Sequence, residues 1–388
     1  VSSAVQNRNT FRIPNLIKRR FTAVTSPPRN EVGVTGGVLD RTGCSLATFF
    51  VLVNGSSVSS LVESERTNLM FEFNRILVSV DTRMDVRNIV DKAALISQQC
   101  GASIKLVDVV AEFPRVVRLM LAGHQEIRET IIKEKRERLS ALAESLRERG
   151  IDVEIDVLSG TTSTQVTSLV ASGGHDLVVR TAKGRDSRRR GGVGTTAMRL
   201  LRECPCPVLL IAPNASANYA HVMACVDTSS DELVDAVLND RVVAAATRLS
   251  QWHQSKLSIF HAWSIYGEEF LLVRTRDGDF RDLSARVRER SEKMFHDFLQ
   301  MHGRNAGDQN SFIRKGEPAT MIPAFASENN VDLIVMGSFA RSWLSEMLLG
   351  STVERVLSVI NCSVLVIKPD RMAMPIYGGQ FSEWESIV

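Results

Sequence analysis

Asp332-Leu333-Ile334-Val335 reads as a buried β-strand, and a near copy, Asp176-Leu177-Val178-Val179, stands 156 positions earlier (176 to 332). The same spacing carries Gly194-Thr195-Thr196 onto Gly350-Ser351-Thr352 and Pro213 onto Pro369. It also carries Cys206-Pro207-Val208-Leu209-Leu210-Ile211 onto Cys362-Ser363-Val364-Leu365-Val366-Ile367 without a gap. Upstream, Ile76-Leu77-Val78-Ser79-Val80-Asp81 aligns with Val222-Met223-Ala224-Cys225-Val226-Asp227, 146 positions apart (76 to 222). A repeat of this length is a whole domain, where solenoid units are far shorter. At about 150 residues per domain, a chain of 388 residues holds two such domains with sequence to spare.

Each copy alternates short β-branched runs with longer amphipathic ones. Strands are expected at 75–80, 103–109, 153–157, 176–179 and 207–211, with helices near 84–100, 124–149, 163–172 and 195–203. The second copy gives strands at 221–226, 256–263, 310–315, 332–336 and 363–368. Its helices fall near 231–252, 282–302, 318–329 and 351–359. Leu139, Leu142 and Leu146 mark the clearest helical stripe. Apolar runs without polar alternation mean strands buried on both faces, hence parallel sheets covered by helices. The fold class is α/β: two tandem doubly wound domains, each a five-stranded parallel sheet with helices on both faces. The expected division is 1–69, 70–214, 215–370 and a tail at 371–388. The first 69 residues mix Ser, Thr, Asn, Gly and Arg without an apolar period, and the first Met is Met70. That segment is expected to be a disordered leader or non-native upstream sequence.

Composition narrows the function. Hydrophobic residues at 44% and charged ones at 23% belong to a folded, water-soluble chain. A net charge of +3 and 6% aromatic residues argue against a dedicated nucleic-acid binder. The apolar run from Leu46 to Val53 is far short of the roughly 20 residues needed to span a membrane. Six cysteines form neither a disulfide framework nor paired CxxC arms, so a cytoplasmic protein with reduced thiols is expected. Cys204-x-Cys206 lacks the four ligands of a structural zinc site and reads as small apolar residues opening a strand. His261 reads as a packed histidine, and His296 has no acid partner in its helix. No Ser/His/Asp order, HExxH or GxxxxGK[ST] loop is present.

Ligands of doubly wound sheets bind beyond the carboxyl ends of the strands. Two loops of the second copy suit that role. Asp227 ends the first strand before Thr228-Ser229-Ser230, and either a ligand contact or a helix cap by Ser230 or Asp231 explains this segment. After the fourth strand, Met336-Gly337-Ser338-Phe339-Ala340-Arg341 runs on to Gly350-Ser351-Thr352 at the start of the last helix. A glycine after a strand admits a ligand to the backbone, and a helix start offers N–H groups to phosphate.

With Gly173-Gly174-His175-Asp176-Leu177-Val178 and Leu200-Leu201-Arg202-Glu203-Cys204-Pro205, this layout resembles the universal stress protein family, most closely its two-domain members. The resemblance covers Met70 to about Pro369. It implies strand order 3-2-1-4-5 and, in nucleotide-binding members, a G-x2-G-x9-G-[ST] loop holding the ribose and phosphates of ATP. An Asp ending strand one and a small residue after strand two flank the adenosine. In the second copy these become Gly337, Gly350, Ser351 and Thr352, with Asp227, Ala262, Met336 and Phe339 around them. Ala340 stands where the middle glycine belongs, and its methyl crowds the phosphate path. In the first copy Thr181 replaces the first glycine, while Asp81, Gly184, Gly194 and Thr195 keep their places. A basic loop, Arg185-Asp186-Ser187-Arg188-Arg189-Arg190-Gly191-Gly192, lies between; it suits either attraction of a phosphate-bearing ligand or solvent. The second copy is the favoured nucleotide site.

The resemblance therefore implies a cytoplasmic stress-response protein that binds ATP, alone or with Mg, and acts by ligand-dependent binding. It also implies pairing of the two halves through their fifth strands, as an intramolecular pseudo-dimer or within a homodimer; composition adds the expectation of no nucleic-acid partner and no membrane span. Two alternatives stay open: a slow ATP hydrolase or phosphotransferase using Asp227, and an interaction scaffold holding another phosphate-bearing ligand.

Overall fold

The apolar runs form ten strands in a computed structural model that describes residues 72–120, 123–184, 192–230, 233–305, 307–338 and 349–369. The leader and tail segments, most of the basic loop, Asp231, Phe339 and Ala340 lie outside the described residues. The first half contains β1 (Arg75–Ser79), α1 (Arg87–Cys100), β2 (Ser103–Val110), α2 (Arg115–Met120), α3 (His124–Arg147), β3 (Val153–Ser159), α4 (Thr162–Gly173), β4 (Leu177–Thr181), α5 (Thr195–Glu203) and β5 (Val208–Ile211). The second repeats the order: β6 (His221–Val226), α6 (Leu233–His253), β7 (Lys256–Trp263), α7 (Glu268–Arg274), α8 (Asp277–Met301), β8 (Ser311–Lys315), α9 (Pro318–Glu328), β9 (Leu333–Gly337), α10 (Ser351–Val359) and β10 (Ser363–Ile367).

Ten strands make one sheet, in the order β3-β2-β1-β4-β5-β10-β9-β6-β7-β8. Each half thus has the 3-2-1-4-5 order, and within each half all pairs are parallel. The halves meet at the antiparallel pair β5–β10, where Val208 faces Val366 and Leu210 faces Val364. Each fifth strand would otherwise expose a row of unpaired N–H and C=O groups, and here each caps the other. β6 and β10 are buried along their whole length, whereas the outermost strands β3 and β8 are partly exposed. That is the pattern of a sheet covered on both faces and open at its ends.

The apolar layers run through both halves. One face packs Ile76, Leu139, Val222 and Phe295 into a common layer. The other holds Leu77, Leu200, Met223 and Phe325. Polar contacts secure the seam: Val193 N–H donates to the Leu357 carbonyl at 3.0 Å, and Arg202 pairs with Glu354 at 2.6 Å. Gly192 is required beside it, since its φ is +68° and a Cβ there would lie 2.3 Å from the Ser358 carbonyl oxygen. The segment joining the halves is held by Asn88, which donates to the Ala215 carbonyl, and by Lys92, which donates to that of Ala217. The Lys92 ammonium also sits 3.5 Å from the centre of the Tyr219 ring.

Two short helices, α2 and α7, were not expected from the sequence. Neither buries a residue, and at six and seven residues each is too short for a helical period to show in sequence. Among the described residues, no helix is long and apolar enough to cross a membrane.

Candidate functional site

Each half opens a cavity at the carboxyl ends of its strands, where α/β sheets receive ligands. In the second half a cavity of about 530 Å³ is lined by Asp227, Ala262, Met336, Gly337, Gly350, Ser351 and Thr352, together with Cys225, Leu238 and Asn239. The chain therefore brings together around one cavity all seven described candidates of that half, from the ends of β6, β7 and β9 and the start of α10. α10 begins after Gly350 without a side-chain cap among the described residues, and its first turn, Ser351 to Val353, lines the cavity. Asn239 fixes the end of β6: its side chain accepts the Asp227 N–H at 3.0 Å and donates to the Asp227 carbonyl at 2.6 Å. The Asp227 carboxylate accepts the Ser229 N–H at 3.1 Å and its hydroxyl at 2.5 Å, which folds the loop back on itself.

Gly337 has a reason other than the one expected. A Cβ at this position would lie 2.7 Å from the Leu238 side chain of α6. The missing side chain makes room for helix packing, and Leu238 lines the cavity alongside Gly337.

The first-half cavity is larger, about 1100 Å³, and is lined by Asp81, Gly184, Gly194 and Thr195 among others. Gly194 precedes α5, which also starts without a side-chain cap. Its chemistry differs from that of its counterpart. Asp108 on β2 takes the Lys135 ammonium at 2.6 Å, the Thr82 hydroxyl at 2.7 Å and the Thr82 N–H at 2.9 Å. Asp81 is paired with Arg83 through its Nε at 2.8 Å and Nη2 at 2.7 Å. Burial alone would raise the Asp81 carboxyl, but the Arg83 bonds and the charges of Arg83 and Lys135 outweigh it and hold the group below the ordinary aspartate value. Arg180 on β4 lies in the same floor, 8% exposed, with Nη1 donating to the Ser79 hydroxyl at 2.6 Å. Burial pulls its guanidinium down from the usual arginine value, partly offset by the Asp81 and Asp108 charges.

The sheet register gives the counterparts. Ser79 pairs with Arg180 and Val107 on its two sides, as Cys225 does with Met336 and Phe260, so Arg180 corresponds to Met336 and Asp108 to His261. His261 is buried, with Nδ1 3.1 Å from the Val226 carbonyl and its ring stacked on Phe295 at 5.7 Å. Burial lowers its pKa. Where Thr82 is bound by Asp108, the corresponding Thr228 hydroxyl and the His261 Nε2 have no hydrogen-bond partner among the described residues. Sequence reasoning missed Arg180, Lys135 and Asp108. Aligning Arg180 against Met336 across the repeat is the one signal in the sequence, and it points to Arg180 alone. The thiols of Cys204, Cys206 and Cys225 are buried in the core, and Cys204 Sγ lies 3.6 Å from the Thr167 hydroxyl.

Two five-stranded doubly wound units, joined edge to edge and each with a crevice beyond its strand ends, define a tandem α/β protein with one candidate ligand site per half. The universal stress protein family matches residues 72–212 and again 218–368, and the chain belongs to that family. It is 24% identical over 311 residues to universal stress protein E of Escherichia coli K12, covering 79% of this chain and 98% of the relative. The corresponding protein of Photorhabdus laumondii is 26% identical over 312 residues, with the same coverage. Among solved structures, a functionally unknown protein of Pseudomonas aeruginosa PAO1 superposes with a TM-score of 0.61 at 22% identity, covering 80% of this chain and 98% of that one. A universal stress protein of Archaeoglobus fulgidus gives 0.52 at 19% identity, covering 77% and 99%. These likenesses concern the fold.

Proposed function

We propose that the chain is a stress-response protein of the cytoplasm that binds a nucleotide, ATP foremost, in the second-half cavity, and that it acts through ligand-dependent binding. The observation that carries this reading is the convergence of Asp227, Ala262, Met336 and Gly350-Ser351-Thr352 on one cavity. The uncapped start of α10 offers N–H donors to a phosphate, and Asp227 lies in the lining where a ribose or base edge would meet it. The relatives named universal stress protein E support the stress-response assignment. Binding without turnover is favoured because the Asp227 carboxylate is already engaged by Ser229. An Mg ion accompanying ATP would neutralise its phosphates; the chain's own contribution would be Asp227 and the hydroxyls of Ser351 and Thr352.

Thermal unfolding of the full chain with and without ATP tests this. Ligand linkage predicts a rise of several degrees at saturating ATP and a smaller one with adenosine, which lacks the phosphates. No rise with either would overturn the reading.

A further inference from the structure

The sheet does not need an arginine at Arg180, since the second half carries Met336 at the same register position in an equally buried strand. Burying a guanidinium costs several kcal/mol unless it is paired. Yet Arg180 has no ion pair within 4.0 Å among the described residues: Asp81 is taken by Arg83, and Asp108 by Lys135 and Thr82. Of the five N–H donors of a guanidinium, the bond to Ser79 employs one. The group lines the large first-half cavity alongside Thr195 and Thr196 at the uncapped start of α5. A planar fork of donors and a helix N-terminus thus bound the same space, and both match one chemistry, an anionic group with two coplanar oxygens.

We propose that the first-half cavity binds a small molecule through a single oxyanion group, a phosphate monoester or a carboxylate, gripped by Arg180 and the first-turn N–H groups of α5. The rim favours one anionic group over a polyphosphate chain. Among the described residues it carries Arg83 and Arg138 but also Glu112 and Glu134, so recognition falls to the floor. This site is separate from the second-half cavity and does not depend on nucleotide binding there.

Calorimetric titration of the full chain with inorganic phosphate and, separately, with succinate tests the proposal. Two variants accompany it. Arg180→Met installs the residue that the second half tolerates at this position. Thr195→Glu places a carboxylate at an exposed helix start, a favourable location for folding that would repel an incoming anion. The expected result is saturable binding of one or both probes, weakened at least tenfold in each variant, with the ligand-free unfolding temperature of Arg180→Met equal to or above that of the parent. Binding of phosphate alone assigns a phosphate ester, and binding of succinate alone assigns a carboxylate. If neither probe binds, or if both variants bind as tightly as the parent, the proposal is overturned. Should Arg180→Met fail to fold, Thr195→Glu decides by itself.

Discussion

One scaffold carries two floors. In the first half, Ser79, Arg180, Asp108 and Lys135 place four polar or charged side chains under the cavity. In the second, Cys225, Met336 and His261 stand at the corresponding sheet positions, and His261 leans on Phe295. The strand order and the glycine-led helix starts at Gly194 and Gly350 are shared, so the fold does not account for the difference. It lies in a handful of side chains at strand ends. The lesson is that the two halves kept the architecture and diverged in the chemistry they present to a ligand.

The largest break of this comparison comes from Lys135→Met. It leaves Asp108 buried without its counter-ion, and unfolding by urea should show a loss of about 3–5 kcal/mol. Thermal unfolding of Lys135→Met alone is expected to fall by several degrees, with no such penalty predicted for apolar substitutions around His261.

The seam between the halves gives the pH dependence. Burial, with the Lys92 charge second, pushes His253 down to about 4, and its Nδ1 accepts the Tyr219 N–H at 3.5 Å. The unfolded chain takes up this proton near pH 6.5 while the folded chain does not, so His253 costs stability as pH falls from about 6.5 towards 4, by up to about 3 kcal/mol. Lys92 runs the other way. Burial brings it down to about 8, so the folded chain gives up its proton earlier than the unfolded one, and stability gains as pH rises from about 8 towards 10.5. Urea midpoints measured across these two windows should show both slopes, and Lys92→Met should flatten the alkaline one.

A finer contrast concerns matched threonines. Thr82 donates to Asp108, so Thr82→Val strips a buried carboxylate of a donor and should cost about 1–3 kcal/mol. Thr228 has a buried hydroxyl without a partner among the described residues, so Thr228→Val should be neutral or slightly stabilising. Equal losses in the two variants would contradict the distinction drawn between the floors.

Much of this was legible in the sequence. The buried strands of both halves lie within a residue or two of their expected bounds, because uninterrupted runs such as Val208–Ile211 and Val364–Ile367 leave little choice. The gapless repeat between 176 and 369 marks the tandem, and the loop residues Asp227, Gly350 and Ser351, picked by their place after strands and before helices, line the second cavity. α2 and α7 escaped because six or seven residues make fewer than two turns and so show no period. The role of Gly337 escaped because Leu238, which claims its space, lies 99 residues away (238 to 337) on another element. The charged floor of the first half escaped for the same reason. Asp108, Lys135 and Arg180 come from β2, α3 and β4, and no local spacing joins them.

The proposed division of labour between the halves meets its sharpest test in one titration: ATP into the full chain, into Gly350→Trp and into Arg180→Met. The indole at position 350 would occupy the α10 end of the second cavity, whereas Arg180→Met alters only the first. The predicted result is ATP binding lost in Gly350→Trp and retained in Arg180→Met. Binding retained in Gly350→Trp and lost in Arg180→Met would place the nucleotide in the first half and contradict the account.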